Sequence, residues 1–146
     1  VSSVIVQLAK DFLTWVKAQS LSQEFDTKRA YRTVFALEEQ KQRYLIVVYP
    51  GGETVTPYTR RKHTEDEYSI DVVVQRKISP RGEDYLDELD GCMDFVQEVR
   101  DVVINATISD MSHVRTEVDE EFHQDQLDLN NLFYSIQTFT FKTIRG

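Results

Sequence analysis

The residues able to do chemistry are few, and their spacing argues against most chemistries. There are three histidines, His63, His113 and His123. None pairs with another histidine or a cysteine at metal-ligand spacing, so no metal centre is expected. His63 falls at a hairpin tip and the other two fall in polar loops. The single cysteine, Cys92, lies on the apolar stripe of a predicted helix. No histidine is placed in sequence to activate it, so a buried thiol is expected rather than a nucleophile. A lone cysteine excludes an intramolecular disulfide and fits a reducing compartment. Pro50-Gly51-Gly52 has the glycines of a phosphate loop but neither its lysine nor a following helix, and reads as a turn. Asp84, Asp87, Glu88 and Asp94 stand at helical spacing on an outward face. They read as a solvated surface, with no calcium-loop pattern beside them. With no nucleophile–base pair and no ligand set, neither enzymatic activity nor a cofactor is expected.

What remains is charge. The chain has 146 residues and a net charge of −8. Nucleic-acid affinity comes from cations neutralising phosphates, so a protein this acidic is poorly suited to gripping DNA or RNA. Arg60, Arg61 and Lys62 form the only basic cluster. It reads either as a solvated tip balanced by Glu65, Asp66 and Glu67, or as a contact for an acidic surface on another copy or a partner. The stretch from Glu117 to Asp128, which includes Glu120 and Glu121, is the complementary surface if copies meet head to tail. The sequence opens without a basic segment leading into an apolar one, so no secretory signal is expected. No run approaches the roughly 18 apolar residues of a membrane span.

The elements that position these residues follow from periodicity. Val4, Ile5, Leu8, Phe12, Trp15 and Val16 recur at three- and four-residue spacing behind Ser2 and Ser3, which can cap a helix. Gln19 to Lys28 loses periodicity and reads as a loop. Tyr31 to Leu37 alternates as a strand, and Tyr44 to Tyr49 is a continuous apolar run, the mark of a central strand. Glu53 to Arg61 and Glu67 to Ile78 read as a hairpin with a long charged tip, Pro57 marking the first as an edge or interrupted strand. In the second, Tyr68, Ile70, Val72 and Val74 share one face, and Ser69, Asp71, Gln75 and Lys77 the other. Val73 interrupts the polar face, so the centre of this strand is expected to be covered on both sides. Glu83 to about Ala106 is a second helix with Tyr85, Leu86, Leu89, Cys92, Met93, Val96, Val99 and Val103 on its stripe. Gly91 marks either a close backbone approach or a bend. Thr107 to Ser112 reads as a loop and Val114 to Val118 as a short strand. Glu117 to Asp128 reads as a mostly solvated acidic stretch. In the last strand, Asn131 to Ile144, the apolar parity switches near Thr138, which implies a bulge or a change of covered side. The expected fold is one α+β domain spanning residues 1–146, ordered α-β-β-β-β-α-β-β. Its single mixed, mainly antiparallel sheet has both helices packed on one face.

Taken in this order, the chain resembles the small tail-terminator and tail-completion proteins of long-tailed bacteriophages. The features that carry the resemblance are the helix VIVQLAKDFLTWV, the strand YLIVVYPGG and the alternating strand EYSIDVVVQRKI. The second helix EDYLDELDGCMDFVQEVRDVV, an acidic loop and the aromatic strand LFYSIQTFTFKTI complete it. The resemblance implies a structural virion protein that caps the tail tube as a ring, usually hexameric, stops tail polymerisation and presents the head-joining surface. Its implied partners are other copies of itself, the tail tube protein and a head–tail connector or head-completion protein. DNA passes through the ring without specific binding, and no membrane is involved. The implied location is the head-proximal end of the virion tail, after assembly in the host cytoplasm. Arg60, Arg61, Lys62, Glu120 and Glu121 are the expected subunit or partner contacts. Alternatives are a neck or head-closure protein of the same region, or a small α+β domain holding a ligand between helices and sheet.

Overall fold

Fourteen residues with a clean apolar stripe form the first helix, α1 (Val4–Lys17). Leu8, Ala9, Phe12 and Val16 are buried along it, and the partly buried Val4, Ile5 and Trp15 pack beside them. Ser3 holds the N-cap position but makes no side-chain hydrogen bond there; its carbonyl accepts from the Gln7 N–H at 3.0 Å. The structure is a computed structural model and describes residues 3–31, 43–55, 64–78, 85–104, 106–120, 127 and 132–145. Within them follow β1 (Phe25–Arg29), β2 (Tyr44–Val55), β3 (Thr64–Lys77), α2 (Tyr85–Val103), β4 (Thr107–Ile108), β5 (Met111–Glu120) and β6 (Leu132–Arg145).

The six strands form one sheet in the order β1-β2-β3-β6-β5-β4. Among the described strands β1 and β2 alone run parallel, and every other neighbouring pair is antiparallel. Both helices cover one face. Ile46, Val48, Ile70, Val72, Val74, Phe133, Phe139 and Phe141 meet α1 and the α2 residues Cys92, Phe95, Val96, Val99 and Val103 in one core. The expected class therefore stands: α+β, a mixed and mainly antiparallel sheet, two helices on one face.

The order of elements differs from the expected one: the described residues run α-β-β-β-α-β-β-β. Phe25–Arg29 is a strand, not a loop. Phe25 is its only large apolar residue, so no alternation announced it, and its backbone is held by the edge of β2. Pro50-Gly51-Gly52 is not a turn. β2 runs straight through it, and Glu53–Val55 is the far end of the same strand, paired with β3 from Glu53↔Tyr68 to Val55↔Asp66. The hairpin survives this correction, but its tip lies outside the described residues, as does Pro57. The expected strand Tyr31 to Leu37 also lies outside them, apart from Tyr31, which is 68% exposed just past β1.

Thr107 to Ser112 is a tight hairpin rather than a loop. Ser109 and Asp110 take φ of 54° and 60°, the two-residue left-handed connection that matches strand twist. The Ser109 hydroxyl donates to the Asp11 carboxylate on α1, tying this turn to the helix layer. On α2, Leu86 leaves the expected stripe and is 69% exposed. At Gly91 a side-chain carbon would sit 4.0 Å from the Tyr44 hydroxyl, an ordinary van der Waals distance, so no close backbone approach requires the glycine.

β3 follows its alternation, with Val73 buried on the face away from the helices beside Val47, Tyr49 and Tyr134. β6 pairs with β3 without a register shift from Lys77↔Leu132 to Thr64↔Arg145, so it has no bulge against β3. The parity switch is the change of covered side: Tyr134 and Ile136 pack beside Val73 on the face away from the helices, whereas Phe139 and Phe141 join the helix-side core. Ser135 and Gln137 occupy the helix side between Phe133 and Phe139, and Gln137 Oε1 accepts a 2.6 Å hydrogen bond from Arg100 Nε of α2. The irregularities lie on β5, between His113 and Arg115 and between Val118 and Glu120.

Candidate functional site

The sheet has two long sides with different chemistry. β1 ends the strand order on one side, and among the described residues only β2 pairs with it. On the other side, β4 covers only the start of β5, at Met111 and Ser112, and the His113 N–H reaches the Ala106 carbonyl at 2.9 Å. From Val114 to Glu120, β5 pairs with β6 on one side and with no other strand among the described residues. Unpaired strand edges are templates for association and carry devices that limit it. β5 has two such devices, its bulges and its charges.

The predicted contact residues fall unevenly. Arg60, Arg61, Lys62 and Glu121 lie outside the described residues. Glu120 is the last residue of β5, in register with Ile136 of β6. Ile136 pairs in turn with Val73 of β3, whereas the mouth of the β2–β3 hairpin is at Val55↔Asp66. Seven residues of β3 separate the two levels, about 23 Å at strand rise. Within one subunit the fold does not bring the mouth of the basic tip to Glu120. The acidic stretch is also less uniformly solvated than expected: its first residues belong to β5, and Leu127 is buried in the core.

The β5 side carries Glu117 and Asp119, both exposed, with Val118 exposed between them and Val114 exposed nearer the start of the strand. Its cation, Arg115, is engaged internally by Glu67 at 3.5 Å and Glu117 at 3.4 Å. The β1 side carries Lys28 and Arg29, the latter with its guanidinium 5.6 Å from the centre of the Tyr31 ring. Its carboxylates are engaged too, Asp26 and Glu24 by Arg43 at 3.4 and 3.8 Å. Two open clefts flank this edge. One, of about 350 Å³, is lined by Gln23, Glu24, Arg43, Tyr44 and Arg76; the other is bounded by Lys17, Ser20, Phe25 and Thr27.

Between the two sides, on the face away from the helices, Thr138 links two carboxylates. Its hydroxyl lies 2.8 Å from Asp71 Oδ1 and 2.6 Å from Asp119 Oδ2. A hydroxyl has one proton to donate, so one of the two carboxylates must go without it or carry its own. Burial pushes the Asp71 carboxyl above the ordinary carboxylate range, the Thr138 bond opposes this, and the nearby Asp119 charge adds to the rise. The folded state therefore binds more protons than the unfolded one, starting near pH 3.8, and stability falls as pH rises through that window. Asp71→Asn removes this loss. Relative to wild type, the variant is the more stable at neutral pH, and its advantage shrinks as pH falls through the Asp71 range. Urea melts between pH 3.5 and 7 read this directly, and a difference that does not change with pH refutes it.

The residues examined for chemistry are placed plainly. Cys92 is buried, its sulfur 3.8 Å from the Tyr44 hydroxyl that donates to it, and burial pushes its pKa up. His113 is in β5 rather than a loop, half-buried with its ring 5.9 and 5.8 Å from Phe139 and Phe141. Its Nε2 lies 2.7 Å from the Thr116 hydroxyl, and burial lowers its pKa. His63 and His123 lie outside the described residues. Among the described residues no three of His, Cys, Asp and Glu gather as metal ligands, and no helix is long and apolar enough to cross a membrane.

No family model matches the sequence, and no curated protein matches it. In structure the chain is similar to a chain of a solved assembly, the virion of a native gene transfer agent particle. The TM-score is 0.52 at 9% identity, over 97% of this chain and 98% of that chain. At this identity the likeness is one of fold, and it extends along nearly the whole of both chains.

Proposed function

We propose that this chain is a structural protein of a phage-like particle, one that caps the tail tube as a ring, ends tail polymerisation and forms the head-joining surface. The observation that carries the reading is the end-to-end fold likeness to a chain of a gene transfer agent virion. The sheet supports it: its two sides differ in charge and composition, as head-to-tail neighbours require. A net charge of −8 suits a channel through which DNA slides without its phosphates being gripped. The partners in this reading are further copies of the chain, the tube protein and a head-side connector, and the role is assembly rather than catalysis.

Molar mass by light scattering across salt and Mg²⁺, with negative-stain images of each fraction, tests it. Like charge on every subunit opposes assembly at low ionic strength, and screening relieves it. Closed rings with an open centre, favoured by added salt, are the expected result. A monomer in every condition removes the ring as a property of the free chain. In this reading Arg60 and Arg61 contribute to subunit or tube contacts. Arg60→Glu with Arg61→Glu weakens assembly about tenfold or more and leaves the melting temperature of the subunit unchanged. Unaltered assembly of the double variant removes the tip from the interface.

A further inference from the structure

We infer that neighbouring copies join edge to edge, the Val114–Glu120 side of β5 in one copy lying against β1 in the next. This rests on the ring reading above and names the surface that closes the ring. Three observations carry it. Both edges lack a strand partner among the described residues. Their directions are compatible: following the pairings across the sheet, β1 and β5 run in opposite senses. A copy placed to continue the sheet therefore sets β5 against its neighbour's β1 as an antiparallel pair, whose ladder is strand addition between subunits.

The third observation is charge. One row of paired residues crosses the sheet from Lys28 through Val47, Val73 and Ile136 to Glu120. A cation closes the row on one edge and a carboxylate residue closes it on the other, so continuing the row into the next copy brings Lys28 to the level of Glu120. The opposing charges on each edge are already spent within the subunit, Asp26 and Glu24 on Arg43 and Arg115 on Glu67 and Glu117. Lys28 is exposed and makes no ion pair among the described residues. Exposed apolar groups accompany both edges, Tyr31 on one and Val114 and Val118 on the other, and aromatic residues such as Tyr31 are enriched at interfaces. The contact is heterologous, using a different patch on each side, so it closes into a ring when the rotation between copies permits.

Charge exchange and cross-linking test the contact. Lys28→Glu and Glu120→Lys, made singly, each raise the protein concentration needed for assembly about tenfold, and the two combined in one chain restore it. Lys28→Cys with Glu120→Cys, oxidised, yields a ladder of covalent oligomers ending at one closed size; Cys92 is buried and does not contribute. Circular dichroism and melting temperature of each single variant separate a folding defect from a contact defect. Rings that form normally in both single variants, or form without a cysteine ladder, overturn the edge contact and leave the ring reading standing. Absence of both rings and ladder in every salt condition overturns the two together.

Discussion

Phe12→Ala costs about 3–5 kcal/mol of folding stability, a large share of the roughly 5–15 kcal/mol that holds a domain together. Phe12 is fully buried and is where α1 meets the sheet. Its ring lies 6.0 Å from Phe139 in a stacked arrangement and 6.4 Å from Phe141 edge-on. Trp15, one turn along the helix, is 5.6 Å away. Truncation removes these ring contacts and leaves a cavity whose walls belong to two different elements, α1 and β6, so neither can collapse alone to fill it. A helix of 14 residues has marginal stability of its own in water, so loosening its main anchor weakens the whole helix layer. Phe12→Leu keeps most of the volume and most of the stability. Urea denaturation followed by tryptophan fluorescence measures the difference, since Trp15 reports on the docked helix. A loss below 1 kcal/mol would mean that α1 is not anchored through Phe12.

The same helix shows why some of this fold is legible and some is not. A stripe such as Leu8, Phe12 and Val16 repeats often enough to fix both the element and its buried face, and the α2 stripe does so again apart from Leu86. β3 is legible for the same reason, and Val73 announces the cover on its second face. β1 is not legible. With Phe25 alone to mark a face, Asp26, Thr27 and Lys28 look like loop, and the strand exists because β2 offers it hydrogen bonds. β5 is disguised in the opposite way. As an edge strand it exposes Glu117, Val118 and Asp119 in succession, so its charges read as a solvated stretch and hide its extent. β6 shows its change of covered side as a parity switch but hides a polar contact: Gln137 faces α2 to receive Arg100, and that side chain could not be foreseen from β6 alone. The proposed contact surface shows in the sequence only as charge. Glu120 was identified from its acidity, whereas Lys28 becomes relevant only once the register places it at the far end of the same row.

Gly51→Ala destabilises the protein by about 1–3 kcal/mol, and Gly52→Ala does not. The two glycines sit side by side in the register shift where β2 passes from Pro50↔Ile70 to Glu53↔Tyr68, an extra residue accommodated as a bulge. Neither has positive φ, so conformational freedom is not what distinguishes them; space is. A methyl group on Gly51 would lie 2.9 Å from the Ser69 carbonyl oxygen and 3.2 Å from its carbon, with Asp71 Oδ1 at 3.3 Å. The first two atoms are backbone of β3 and cannot rotate away, so the strands must part at the bulge. The displacement would act on Asp71, whose carboxylate is bound to Thr138, and so the damage would pass from β3 toward β6. On Gly52 the same methyl group meets nothing within 4 Å, and replacing glycine there removes only unfolded-chain freedom, an effect in the stabilising direction. The pair is its own control: equal changes at adjacent residues, opposite in expected sign. Denaturant melts of the two variants decide it. Equal destabilisation would show that β2 turns at the glycines, as a reading of Pro50-Gly51-Gly52 in isolation predicts, instead of pressing Gly51 against β3.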